Sequence, residues 1–187
     1  MFSSRIFTFF FLFATFGLFV CAKPVPVDTT DLAVRSNAEL VRRGCGCAQD
    51  IIDVLTTLQV SVNAQVVLLD GVHSPSGPCN SILASIHVCV TALASIVITV
   101  TITTSEIIAI AHLLVAIILS IVNACGHYSL VIILTFILQL DSALAGLVHA
   151  CTGLVVGLLA ELTIELGAYV SLLTSLKFLL TLAACGL

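Results

Sequence analysis

From Cys79 to Leu187 the chain runs through Val, Ile, Leu, Ala, Ser and Thr, and Lys177 is its only Lys or Arg. An ordinary soluble domain has roughly a quarter of its residues charged. Here 9% of the 187 residues are charged and 60% are apolar, with a mean hydropathy of +1.26. Two kinds of fold accept such a stretch: a set of membrane spans, or a bundle with more apolar material than its core can hide. Trp is absent, Pro stands only at positions 24, 26, 75 and 78, and Gly is sparse inside the apolar runs. Little therefore interrupts helices.

The N-terminus has the form of a secretory signal peptide over residues 1–22. Arg5 supplies a short basic region, Ile6 to Val20 an apolar core, and Cys21-Ala22 small residues before a cut near Lys23. A retained anchor is the alternative reading. Residues 23–43 turn polar and aperiodic, which predicts a disordered propeptide. That segment ends in Arg42-Arg43-Gly44, the dibasic pattern read by kexin-type processing proteases, so Arg42 and Arg43 are the expected processing residues. A single domain over 44–187 then remains. It sets one cation, Lys177, against seven carboxylates (Asp50, Asp53, Asp70, Glu106, Asp141, Glu161 and Glu165), a formal charge of −6. Nucleic-acid binding is excluded because phosphate neutralisation needs clustered Lys and Arg. The same charge argues against attraction to anionic lipid headgroups.

Periodicity divides this domain into about five helices, an all-α up-and-down bundle. The first covers 48–69, with Ile51, Leu55, Leu58, Val62, Val66 and Leu69 on one arc and Asp50 and Asp53 placed in its first turn. A loop over 70–78 precedes a second helix at 80–103, whose Ile96 to Thr103 tail also fits a strand. Thr104-Ser105-Glu106 reads as a capped start for a third helix to about Asn123. That helix is apolar all round and belongs at the centre. The fourth spans 128–151 and carries Asp141. The last spans 154–184, with a bend near Gly167. Gly153 and Gly157, four apart, would let another helix approach closely.

Seven cysteines follow the signal: 45, 47, 79, 89, 125, 151 and 185. Six of them fall at helix ends. With helices alternating up and down, Cys45, Cys47 and Cys151 come to one end and Cys79, Cys125 and Cys185 to the other. This predicts one disulfide from the Cys45/Cys47 pair to Cys151 and another among Cys79, Cys125 and Cys185. The odd count leaves at least one thiol free or paired between chains.

Cys125-Gly126-His127 and His149-Ala150-Cys151 set His near Cys, but at opposite ends of the fourth helix. They cannot share an ion, so no metal and no other cofactor is expected. Glu161 and Glu165 share a face like an acid/base pair. No nucleophile, Gly-x-Ser-x-Gly or Gly-rich loop accompanies them, and they read as a solvated or His-paired stripe. The chain is therefore expected not to be an enzyme.

In layout (signal, kexin-like site at Arg42-Arg43, then a very apolar half) the chain resembles the non-hydrophobin structural proteins that mushroom-forming fungi secrete into aerial hyphae and walls. It resembles the helical hydrophobic-surface-binding proteins of moulds less closely. The resemblance implies a secreted, surface-active or structural role at a cell-wall, air or lipid interface, with self-association. The alternative is an integral membrane protein with a helical hairpin spanning at 82–103 and 107–122. Missing Lys/Arg flanks and aromatic belts count against that alternative, and hydropathy counts for it.

Overall fold

A computed structural model describes residues 46–187, with side chains from residue 48 onward. Four long helices come first: α1 (Gly46–Val66), α2 (Ser76–Ala94), α3 (Thr104–Cys125) and α4 (Leu130–Leu154). The rest is a broken segment, with α5 (Leu158–Leu166), a 3-10 turn (Gly167–Tyr169), α6 (Val170–Ser175) and α7 (Leu179–Ala184). No strand occurs among the described residues.

The apolar arc read in α1 is the buried one: Ile51, Leu55, Leu58 and Val62 are all inside. The helix starts at Gly46, earlier than the periodicity suggested, so Asp50 and Asp53 lie beyond its first turn. In α2 the inward positions Cys79, Ile82, Ile86, Cys89 and Leu93 follow the i, i+3, i+4 rhythm of one helix face. This helix stops at Ala94, where Ser95 Oγ turns back to donate to the Ala92 carbonyl at 2.6 Å. Residues 96–103 are neither helix nor strand. Their β-branched side chains are stiff at χ1 and weak helix formers, and Thr103 is needed as the cap of the next helix. The backbone N–H and hydroxyl of Thr103 both donate to Glu106 Oε2, at 2.7 and 2.6 Å. This capping box starts α3 one residue earlier than expected.

The expected last helix is not continuous. Gly157 takes φ +90°, which ends α4 and re-aims the chain into α5, so the Gly153/Gly157 pair breaks a helix instead of forming a contact stripe. A second break comes at Lys177, with φ +67°, just before Phe178, which is wholly buried.

Packing does not follow chain order. α1 lies against both α2 and α3, α2 against α4, α3 against α5, and α4 against α7. Consecutive α3 and α4 share little surface, and the broken C-terminal segment fills the side between them. α3 supplies the densest buried set, including Ile110, Leu114, Ile117, Ile118 and Ile121, as its all-round hydrophobicity predicted.

Candidate interfacial surface

Arg42, Arg43 and Cys45 lie outside the described residues, and Cys47 is described only in its backbone. Among the described residues Cys79, Cys89, Cys125, Cys151 and Cys185 are all free thiols and all buried. The disulfide expected among Cys79, Cys125 and Cys185 is therefore not present, while the one expected from the Cys45/Cys47 pair to Cys151 involves side chains outside the described residues. The packing explains much of this. Cys79 and Cys125 are neighbours, as are Cys89 and Cys151, but each sulfur fills a core position as a small hydrophobe. Cys185 is held elsewhere, its carbonyl accepting from Thr163 Oγ1 at 2.8 Å. Burial pushes the thiols of Cys79, Cys89 and Cys185 up to about 11. Those of Cys125 and Cys151 are pushed up to about 12, first by burial and then by the neighbouring thiol.

The carboxylates divide into distinct settings. Asp141 is buried on α4, where Oδ1 accepts from the Thr181 N–H and hydroxyl, each at 2.7 Å, and Oδ2 accepts from the Leu180 N–H at 2.8 Å. It caps the start of α7 from another helix. Sequence reasoning assigned Asp141 to the bundle but missed this partner, about forty residues away. Glu165 is paired across to α3, with Oε1 3.2 Å from His112 Nδ1, while Glu161 sits one turn earlier without joining it. No group of three His, Cys, Asp or Glu suited to a metal occurs among the described residues.

Two shallow grooves flank α2. One, of about 450 Å³, lies against α1 between Leu58, Ser61, Ser85 and Cys89. The other, of about 600 Å³, lies against α4 between His87, Leu138, Gln139 and Gly146. The hydroxyls of Thr57, Ser61 and Ser85 donate to carbonyls of their own helix, so they mark a wetted face and are not aimed at a ligand.

Which way the helices face is the informative property. Four helices (Ser76–Ala94, Thr104–Cys125, Leu130–Leu154 and Leu158–Ser175) are long and apolar enough to cross a membrane. Their outward positions nevertheless include Asn80, His87, Thr91, His112, Gln139 and His149, while their inward positions are almost entirely aliphatic. Large apolar side chains also face outward, and many gather at one end. There the loop after α1 exposes Val67, Leu68 and Val72, and the first turns of α4 expose Leu130, Val131, Ile132 and Leu134. Two contacts bring these segments together. Tyr128 Oη donates to the His73 carbonyl at 3.0 Å, and Gly71 packs so closely on the His127 carbonyl that a Cβ there would sit 2.7 Å from its oxygen. No protein-family model matches the sequence, and no curated protein matches it.

Proposed function

We propose that the protein is a secreted, non-catalytic, surface-active helical bundle that works at a cell-wall, air or lipid interface. The observation that carries this reading is the combination of polar side chains on the outward faces of the apolar helices with a gathered, exposed apolar end. Helices built for lipid place their polar side chains against one another and their aliphatic ones outward. These helices turn Asn80, His87, Thr91, Gln139 and His149 outward beside exposed aliphatic side chains such as Val88 and Leu138, and bury a nearly all-aliphatic core, which suits a bundle that folds in water by burying apolar surface. Single apolar residues on a surface are ordinary, whereas a gathered patch marks an interaction site. The layout shared with secreted fungal wall and surface proteins points the same way. The second reading, an integral membrane protein, rests on the four helices long and apolar enough to span. The span proposed at 82–103 is interrupted after Ala94, and α2 and α3 each pack on α1 instead of chiefly on one another.

Pendant-drop tensiometry of purified protein in detergent-free buffer tests the proposal. A steady fall in surface tension at low micromolar protein is expected. A protein that stays dissolved and leaves the tension at that of buffer overturns the proposal.

A further inference from the structure

The bundle is polarised from end to end. α1 and α3 finish, and α2 and α4 start, at the end held together by the Tyr128–His73 and Gly71–His127 contacts. Leu176 reaches this end too, lying 3.8 Å from where a Cβ on Gly126 would stand, so the adjacent Lys177 belongs here. Asp70 lies at this end, engaged by the backbone N–H groups of Val72 and His73 and 2.6 Å from His73 Nδ1, and Asp141, which accepts from the Leu180 N–H, is buried. At the opposite end Asp50 and Asp53 sit near the start of α1, Glu106 in the first turn of α3 and Glu161 in the first turn of α5. That end also exposes apolar side chains such as Val97 and Val156, but they are interspersed with these acids and with Thr101 and Thr103.

We propose that the Val72/Val131 end enters a net-neutral, zwitterionic phospholipid surface with the bundle standing end-on, and that Lys177 lies at the level of the lipid phosphates. This rests on the surface-active reading and names the occupant. Three considerations lead to it. The apolar side chains here are aliphatic and gathered, which favours a deformable apolar phase. Lys177, the one Lys or Arg among the described residues, follows Leu176 at this end on a long aliphatic stem that lets its ammonium reach a headgroup phosphate. Among the described residues four of the seven carboxylates, Asp50, Asp53, Glu106 and Glu161, are held at the far end, beyond a Debye length from the docked surface, where they do not oppose contact with it.

The sequence supplies its own control, since it has no Trp and since Val131 and Val156, at opposite ends, are 93% and 92% exposed. V131W and V156W in the full chain therefore give single-tryptophan reporters of equal starting exposure. With phosphatidylcholine vesicles, V131W emission is expected to shift to the blue and to be quenched by brominated acyl chains, while V156W emission stays unchanged. K177E is expected to weaken partitioning several-fold. Equal responses from the two reporters, or a response from V156W alone, overturn end-on docking. A V131W emission that is already blue without lipid and depends on protein concentration shows that a second copy covers this end, and overturns the lipid assignment. If neither reporter responds but surface tension still falls, the lipid proposal fails and the surface-active reading stands. If tension is also unchanged, both fail.

Discussion

Asp141 is the residue on which the C-terminal third depends. Its carboxylate satisfies three donors at the start of α7, two of them backbone N–H groups that no side chain of α7 itself caps. In D141A those donors are left buried and unpaired, which costs roughly 2–5 kcal/mol. D141N keeps one acceptor oxygen and should lose less. Urea melts of both variants check the order. The thiols give a second prediction. At neutral pH they are protonated and inside, so Ellman's reagent should find no reactive cysteine among these five until denaturant is added. Because their folded values lie near 11 to 12 and their unfolded values near 9, the unfolded state loses protons first. Stability is then intact below about pH 9 and falls as pH rises toward 11, by up to about 1.4 kcal/mol per pH unit for each thiol that ionises only when unfolded. Denaturant midpoints from pH 8 to 11 measure this. At the acid side the sign reverses. Hydrogen bonds from Thr103 hold Glu106 below its usual value, and those from His73 and Val72 do the same for Asp70. Their contribution is present above the ordinary carboxylate range and disappears as pH falls through their lowered values.

Among the elements, the four long helices were legible because their inward positions repeat every three to four residues, as Ile51, Leu55, Leu58 and Val62 show. What ends helices was less legible. Val97 to Thr101 are compatible with helix or strand on propensity alone, and it is the Thr103–Glu106 capping box that takes the chain out of α2 and into α3. The break at Lys177 left no trace, since Lys is an unusual occupant of φ +67°. The Asp141 cap was hidden for another reason, as a contact over forty residues has no local pattern. Cysteine position misled, because a Cys near a helix end serves as well for core packing as for a disulfide. Two glycines carry element-level predictions. G157A forces a side chain into φ +90° and should cost about 1–2 kcal/mol at the α4–α5 junction. G71A combines φ +77° with a clash on the His127 carbonyl, so it should be the more damaging of the pair in thermal melts.

At the scale of the whole molecule, the account rests on which side of each helix meets water. The core is aliphatic, His87, His112, Gln139 and His149 face outward, and a set of exposed apolar side chains from Val67 to Val72 and Leu130 to Leu134 gathers at one end. A chain so arranged should need no lipid to fold, although its mean hydropathy of +1.26 is that of a membrane protein. The most direct test is where the expressed full chain partitions: culture medium and carbonate-washed membranes are separated, and each fraction is taken through Triton X-114 phase separation. The account predicts helical protein in the medium, recovered without detergent. Protein found only in the washed membranes, and extracted only into the detergent phase, would contradict it and make α2, α3, α4 and the Leu158–Ser175 segment a set of spans.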